Sequence, residues 1–304
     1  MNWRSVWLRG QIWQISALGV MSGIWAAFAY ECAQILVVGV WGPGPGPGPS
    51  LVPGTAFGLI FGATHAPLDE FLGRHPFRAL RACGSGAVLG ALAGLITLGP
   101  LGLLISFAGA APVLPLSEGA LWHWGLFVPA LGIIAAVSAF ASGLGIGQFR
   151  LGLIRAAWGF GAGLIGGAVL AATFAFLPLV SWLHMVGLAL WGIWIALAVY
   201  WREKRFAKRW LRVLTGPGED RILPLQGSDL RLGKLDSNEI PLPNYQEIHP
   251  VHCLLRWNGE HYQIVDDETG GTVLVNFRQV QEQVLKTGDL VKIGSALLQY
   301  GEAS

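Results

Sequence analysis

Residues 197–209 read Leu-Ala-Val-Tyr-Trp201-Arg202-Glu-Lys-Arg-Phe-Ala-Lys-Arg209, and the chain changes character inside this stretch. No lysine precedes it, whereas short apolar runs separated by polar turns follow it. Residues 1–200 hold seven basic and four acidic side chains, against thirteen basic and fourteen acidic in residues 201–304. The low density of charged residues in 1–200 is typical of lipid-embedded helices, and the higher density in 201–304 is typical of a soluble domain. We therefore predict a polytopic helical domain over 1–201, a basic juxtamembrane linker over 202–209 and a soluble module over 210–304.

Composition also excludes several classes of function. The formal net charge is +2, and no basic face with interleaved aromatic residues points to nucleic acid. The three cysteines, Cys32, Cys83 and Cys253, are too scattered for a disulfide framework or a CxxC metal site. No nucleophile elbow, phosphate loop or metalloprotease motif occurs. We therefore predict a protein that is not an enzyme and has no catalytic site, metal or cofactor.

The apolar stretches predict a bundle of about six membrane spans, because a helix needs about 20 apolar residues to cross a bilayer. They lie at 14–40, 51–66, 83–108, 122–146, 156–180 and 184–201. Pro53 leaves open whether the second is a full span or a tilted or re-entrant helix. All seven arginines of the first 200 residues fall in 1–13, 67–82 or 147–155. The positive-inside rule then predicts that the N-terminus and the module are both cytoplasmic.

Glycine has two distinct patterns in the body. Residues 42–49 alternate Gly and Pro, which predicts an extended spacer outside the membrane. Two later stretches each place three glycines four residues apart after a basic turn: Gly86, Gly90 and Gly94, then Gly159, Gly163 and Gly167. This spacing puts the glycines on one helix face, where two backbones can approach closely. It predicts glycine-zipper packing within hairpins of spans 2–3 and 4–5, and it also offers a surface for oligomer formation.

Two groups of polar residues are candidates for chemistry in the body. Glu31 lies inside the first span, where an ionisable group is a functional candidate, although a protonated or hydrogen-bonded carboxylate explains it as well. The loop 65–81 contains His65, Asp69, Glu70 and His75, which could form a metal or acid–base cluster. Since no spacing there matches a known ligand signature, we predict a solvated turn instead.

The module is predicted to be a β-sandwich. Its apolar runs at 211–214, 221–225, 230–234, 253–257, 262–265, 272–275, 290–293 and 297–300 are separated by turn signals. Asn258-Gly259, between two of these runs, predicts a hairpin with a type I′ turn.

Five motifs in order make residues 210–302 resemble a forkhead-associated (FHA) domain, a β-sandwich that reads phosphothreonine peptides through its loops. These are Leu232-Gly233-Lys234, Glu239-Ile-Pro-Leu242, Ile248-His-Pro-Val-His252, the loop from Asp266 to Asn276, and Leu285-xx-Gly-Asp-xxx-Ile-Gly294. The whole layout resembles bacterial inner-membrane proteins that carry a C-terminal FHA domain.

The resemblance implies which residues bind a partner, and it also shows a degenerate phosphate site. It carries binding over to Lys234, His249, Thr269, Gly270, Gly271 and Asn276, and structural roles to Gly233 and His252. The family has Arg, Ser and a second Arg where this chain has Lys234, His249 and Pro250. A lysine is a point charge and lacks the bidentate fork of arginine, so phosphate recognition is weakened.

The resemblance predicts a membrane-anchored scaffold whose module binds a cytoplasmic protein, with a Thr-phosphorylated partner as one alternative. The linker 202–209 has five basic groups and one acidic group, which can attract anionic lipid or simply orient the last span. The rival hypothesis is a transporter or channel that the module regulates, with Glu31 as its intramembrane group. A membrane enzyme built on the loop from His65 to His75 is a third alternative.

Overall fold

A computed structural model describes residues 3–42, 47–72, 76–107, 118–145, 147–176, 181–201, 208–216, 219, 222–225, 228–266 and 271–302. Contacts between Cα atoms divide the chain into two compact units, Met1–Trp201 and Arg202–Ser304. The first is helical and the second is built from strands.

Unit 1 consists of seven α-helices and a final π-helical turn in the described ranges. They are α1 Trp3–Trp41, α2 Pro47–His65, α3 Leu68–Leu72, α4 Pro76–Phe107, α5 Glu118–Gly145, α6 Phe149–Phe176, α7 Ser181–Ala196 and the π turn Leu197–Trp201. Five of the helices are long and apolar enough to cross a membrane, and Met185–Tyr200 forms a shorter apolar helix. The predicted helical membrane bundle is confirmed, and six remains an approximate number of spans.

The Gly-Pro segment differs from the prediction at its end. Helix α2 begins at Pro47, so Pro47, Gly48 and Pro49 are helical rather than extended. The first turn of a helix tolerates proline because its N–H groups have no intrahelical acceptor in any case. Residues 43–46 lie outside the described residues. With 19 residues, α2 is about 28 Å long, close to the hydrocarbon thickness of a bilayer.

All helices except the short α3 form a closed ring in the order α1, α2, α4, α5, α6, α7, and α7 contacts α1 again. Side chains from every helix fill the interior, where Phe57, Phe61 and Trp191 pack against one another. Large apolar residues such as Ile35, Ile96 and Val169 are exposed on the outside. An apolar outer surface of this kind suits lipid as the surrounding solvent.

Glycine lets α2 and α4 approach to backbone contact. A Cβ added at Gly90 would lie 2.2 Å from the carbonyl oxygen of Gly58, and one at Gly86 would lie 2.2 Å from that of Gly62. Gly94 meets Gly54 in the same way. The paired numbers run in opposite directions, so the two helices are antiparallel. These glycine faces are occupied within one chain, and oligomer formation stays a prediction.

The second glycine repeat packs in a similar way but with larger partners. Gly159 and Gly163 of α6 face Ala135, Ala139 and Gly132 of α5. A third close contact joins α1 to α7, where Gly19 faces Gly192. Small residues therefore occur at three helix pairs around the ring, in accordance with the preference for small residues where membrane helices meet.

Unit 2 is a sandwich of two sheets. Its strands are β1 Arg209–Val213, β2 Ile222–Pro224, β3 Asp229–Gly233, β4 Ile240–Pro241, β5 Cys253–Trp257, β6 Tyr262–Asp266, β7 Val273–Val275, β8 Arg278–Gln279, β9 Glu282–Val284, β10 Leu290–Ile293 and β11 Ala296–Glu302. One sheet has the order β2-β1-β11-β10-β7-β8 and the other β4-β3-β5-β6-β9. Alternate residues of both sheets form one apolar core. The predicted β-sandwich is confirmed, and β4, β8 and β9 are short strands that the apolar runs did not predict.

The Asn258-Gly259 hairpin is present, but its turn is not type I′. A type I′ turn needs positive φ at both central residues, and only Gly259 has it, at 105°. The strands pair up to Trp257 and Tyr262, which leaves a four-residue loop. The Asn258 side-chain oxygen accepts hydrogen bonds from the N–H groups of Glu260 and His261. This side-chain bonding makes Asn258 the first residue of the turn.

Candidate functional site

The β-sandwich has two ends, and strand register assigns each loop to one of them. At one end of the sandwich, β3 and β10 end and β5 and β7 begin. We call this the loop end; it contains segments 234–239, 242–252 and 271–272 and the turn 294–295. The linker end contains 208–209, 258–261, 276–277 and 286–289 together with Glu302. Of the four predicted binding residues that the structure describes, three lie at the loop end: Lys234, His249 and Gly271.

Backbone hydrogen bonds bring Lys234 beside His249. The Lys234 N–H donates to the His249 carbonyl oxygen at 2.9 Å, and the Leu235 N–H donates to that of Pro250 at 3.2 Å. The His252 N–H donates in turn to the Leu232 carbonyl at 2.7 Å. Segment 249–252 therefore runs alongside the end of β3. The Lys234 side chain is exposed and that of His249 is half-buried.

The buried ring of His252 connects three segments of the loop end. Its Nδ1 accepts a hydrogen bond from the His249 N–H at 3.2 Å, and its Nε2 lies 3.4 Å from the Thr272 carbonyl oxygen. These contacts suit a neutral ring protonated on Nε2. A Cβ added at Gly271 would lie 2.3 Å from this ring, so glycine allows the loop to cover it. The geometry fits the structural role that the FHA resemblance implies for His252.

Burial lowers the pKa of His252 below its ordinary value, and the nearby Thr272 carbonyl only partly offsets this. The unfolded chain then binds a proton more readily than the fold does, so the unfolding free energy falls as the pH drops below about 6.5. We expect thermal denaturation of the β-sandwich to occur at a lower temperature at pH 5.5 than at pH 7.5. In His252→Gln this part of the pH dependence should disappear; an unchanged slope would contradict the assignment.

Asn238 is a structural residue of the loop end that the sequence analysis did not identify. It is fully buried, and its Nδ2 donates to the Pro250 carbonyl oxygen at 2.6 Å. Gly233 permits this approach, since a Cβ there would lie 2.3 Å from the same oxygen. The only sequence signal is a polar Asp-Ser-Asn turn after β3, which predicts a loop but not a buried amide.

An ion pair holds the loop after β3 from its other side. Arg231 donates to both carboxylate oxygens of Glu239, at 3.0 and 3.1 Å, and its backbone N–H also donates at 2.9 Å. Burial raises the pKa of Glu239, but the hydrogen bonds from Arg231 outweigh burial and hold it below its ordinary value. Lys234 is therefore carried on a loop that is fixed at both ends.

Asn276 is separated from the other predicted binding residues. It follows β7 at the linker end, whereas Gly271 precedes β7 at the loop end. Its Nδ2 donates to Asp289 Oδ1 at 2.9 Å, and its Oδ1 accepts from the Leu290 N–H at 3.0 Å. Thr269 and Gly270 lie outside the described residues. The structure thus brings together Lys234, His249, His252 and Gly271, with Gly233 beneath them.

The predicted solvated turn at 65–81 is wrong for the residues that the structure describes. His65, Glu70 and Arg78 are buried, and α3 packs against α4 and α1. Arg155 of α6 supplies a partner for this segment, because it reaches across to Asp69 at 3.2 Å and also donates to Ser142 at 3.0 Å. Such a partner cannot be read from the loop itself.

Tyr200 completes this buried polar cluster. Its hydroxyl donates to the His65 carbonyl oxygen at 3.1 Å, and the Arg155 guanidinium lies 5.3 Å from its ring centroid. The His65 ring stacks on Phe61 with centroids 4.8 Å apart. Glu31 lies elsewhere, half-buried on α1 next to Tyr30. His75 is outside the described residues, and no group of three or more metal-ligating side chains occurs within the described ones.

The module is similar to domains of known proteins. A family model described as the cytoplasmic domain of an inner membrane component of T3SS matches residues 212–304. No curated protein matches the chain.

Solved structures also resemble the module, and each aligns with about a third of this chain. One, from a study of phosphothreonine-dependent FHA domain interactions, has 22% identity, with 32% of this chain and 97% of that chain covered at a TM-score of 0.29. The FHA domain of a Chlamydia trachomatis protein has 21% identity, with 32% and 98% covered at a TM-score of 0.29.

The cytoplasmic domain of the T3SS sorting platform protein PscD from P. aeruginosa has 14% identity, with 32% of this chain and 81% of that chain covered at a TM-score of 0.29. Together with the sheet topology, the family match confirms the predicted architecture: the chain is a helical membrane body that carries a C-terminal FHA-type β-sandwich.

Proposed function

We propose that this protein is a non-enzymatic membrane anchor whose module binds a cytoplasmic protein at the loop end. The observation that carries the proposal is the convergence of Lys234, His249 and Gly271 around the buried ring of His252. A loop that backbone hydrogen bonds hold in place and that exposes a cation suits a binding surface. A cytoplasmic module agrees with the arginine distribution in the body and with the description of the matching family.

The chemistry of the loop end favours an acidic or phosphorylated segment as ligand. The Lys234 ammonium is exposed on a loop that Arg231 and Glu239 hold, so little ordering is needed on binding. The half-buried imidazole of His249 adds a second polar group beside it. Lysine offers a point charge without the bidentate geometry of arginine, so we expect affinity for phosphothreonine to be weaker than a complete FHA site would give.

A binding experiment with the full-length protein in nanodiscs tests this function. Peptide pairs with threonine or phosphothreonine are screened, and the dissociation constant of the best ligand is measured by calorimetry. We expect Lys234→Ala and His249→Ala to weaken binding about tenfold each, the usual loss for one charge-assisted contact. Lys292→Ala, an exposed lysine in the middle of β10, is the matched control and should bind as the native protein does.

The outcomes distinguish phosphothreonine recognition from binding of an unmodified protein segment. Preference for the phosphorylated member of a pair would support phosphothreonine recognition, and equal binding of both members would support an acidic or neutral protein ligand. If Lys234→Ala and Lys292→Ala bind equally well, the loop end is not the binding surface and the proposal fails.

The buried polar cluster favours one second candidate, a transport-like body that the module regulates. Buried ionisable groups in a membrane body are expensive and are often functional, and Arg155, paired with half-buried Asp69, is such a group. Against an open channel, buried Phe57, Phe61 and Trp191 pack against one another inside the ring. Ion flux in proteoliposomes that Glu31→Gln or Asp69→Asn abolishes would favour this candidate over the anchor.

A further inference from the structure

Among the strands that the structure describes, β9 is the edge strand whose backbone is best suited to pair with another chain. The two sheets end at β2, β8, β4 and β9. Strands β2 and β4 each end in a proline, which lacks the N–H donor that a further strand needs, and β8 has only two residues. Strand β9 has three residues and no proline. An edge of this kind is a template for a further strand.

The hydrogen bonds between β9 and β6 show which backbone groups are left for another strand. The Leu285 N–H donates to the Tyr262 carbonyl oxygen at 2.8 Å, and the Gln281 carbonyl oxygen accepts from the last N–H of β6 at 2.8 Å. In an antiparallel pair, alternate residues form the hydrogen bonds to one neighbour. The N–H and C=O groups of Glu282 and Val284 therefore point away from β6, along the open edge.

The side chains of this edge follow a self-complementary order. Leu285 is fully buried and Gln283 is half-buried. Glu282, Val284 and Lys286 are exposed on the outer face of the sheet. An apolar residue thus lies between an acid and a base, each two positions away from it. When an antiparallel copy is centred on Val284, the Glu282 of each copy lies opposite the Lys286 of the other, which is a favourable cross-strand pair.

The charges along this edge cancel. The stretch from β8 to the start of β10 contains Arg278 and Lys286 as bases and Glu282 and Asp289 as acids. The Glu282 carboxylate is held on the outer face by a hydrogen bond of 2.6 Å from Gln263 Nε2 of β6. An edge with alternating charges and no net charge does not repel its own copy, and it offers no cationic surface to nucleic acid or anionic lipid. This balance favours a second copy of the chain as the occupant.

We propose that two copies of this protein pair through β9, antiparallel and centred on Val284. In this arrangement the Val284 N–H of each copy donates to the Val284 carbonyl oxygen of the other. The Glu282 N–H donates to the Lys286 carbonyl oxygen of the second copy. The Lys286 N–H keeps its present bond to Asp289, at 2.8 Å. The five-stranded sheets of the two modules then form one continuous sheet across an isologous two-fold axis.

This pairing is independent of the proposed partner binding, because Lys234 and His249 lie outside β9. It also differs from oligomer formation through the glycine faces of the body. An edge of three residues pairs weakly in free solution, and anchoring of both copies in one bilayer raises their effective concentration. The full-length protein in a membrane is therefore the appropriate material for the test.

Disulfide cross-linking of the full-length protein in proteoliposomes tests the pairing. Cys32 and Cys83 are replaced by alanine, the buried Cys253 is retained, and one new cysteine is introduced as Val284→Cys. Directly opposed Cα atoms in such a pair are about 5.5 Å apart, a distance that a disulfide can bridge. Lys292→Cys, exposed on β10 in the interior of the other sheet, is the matched control.

We expect oxidation to convert Val284→Cys into a covalent dimer and to leave Lys292→Cys monomeric. Adding Glu282→Lys makes both symmetry-related pairs repulsive, so the protein-to-lipid ratio that gives half cross-linking should rise roughly tenfold. Adding Lys286→Glu to that variant should restore cross-linking, and circular dichroism checks that each variant is folded. The proposal is overturned if Val284→Cys gives no more dimer than Lys292→Cys, or if the two charge reversals leave the amount of dimer unchanged.

Discussion

Gly90→Ala should force α2 and α4 apart and lower the thermal stability of the membrane body. The added Cβ would lie 2.2 Å from the Gly58 carbonyl oxygen and 3.1 Å from the Gly62 Cα, and both contacts are backbone. Backbone atoms cannot rotate away as a side chain does, so the helices must move apart. Overpacking of this kind costs about 1–3 kcal/mol, and the loss of dispersion contacts along the pair adds to it.

Thermal unfolding in detergent, followed by circular dichroism, measures the effect. Gly84→Ala is the matched control, because it lies on the same helix and has no atom within 4 Å of its added Cβ. Alanine also has the higher helix propensity, so the control should be neutral or slightly stabilised. Equal melting temperatures for the two variants would show that the α2–α4 contact is looser than the structure has it.

Gly233→Ala should have the largest effect in the module. Its Cβ would lie 2.3 Å from the Pro250 carbonyl oxygen and 2.7 Å from Asn238 Nδ2, where Asn238 and Pro250 already form a short buried hydrogen bond. The change must displace segment 249–252 or break that bond. A cost of about 2–3 kcal/mol corresponds to a melting temperature lower by roughly 10–20 °C in a domain of this size.

The comparison variant is Lys234→Ala, whose side chain is exposed one residue away. It should unfold at the native temperature while binding its ligand weakly, whereas Gly233→Ala should lose both stability and binding. A Gly233→Ala protein with native stability would mean that Pro250 can move freely, and the loop end would then not be preorganised.

The sequence predicted those parts of the fold that depend on local pattern. Apolar length and the absence of lysine located the helical body, and alternation located the long strands β1, β3, β5, β6, β10 and β11. The apolar runs also located the three-residue strands β2 and β7, whereas β4 and β8 have two residues each and β9 is Glu-Gln-Val, so no apolar run marks these three. Their existence depends on the neighbour that offers hydrogen bonds, and the neighbour is defined only in the folded sandwich.

The candidate site was predictable to a similar extent. The order of motifs indicated Lys234, His249, His252 and Gly271, and the structure places them together. It places Asn276 at the linker end, because β7 separates Asn276 from Gly271. There Asn276 bonds to Asp289, thirteen residues further along the chain. Asn238 could not be found from sequence, since a polar residue in a turn is ordinarily solvated and only the Pro250 carbonyl makes its burial favourable.

The change of solvent at Trp201–Arg202 follows from the sequence by itself, because transfer into lipid acts on each side chain separately and adds up along the chain. The spacing of Gly86, Gly90 and Gly94 likewise indicates a close helix contact without naming its partner. The tertiary structure alone decided that α2 is this partner, that Arg155 pairs with Asp69, and that Asp289 holds Asn276. These are pairings between distant residues, and their energy exists only when folding has brought both members together.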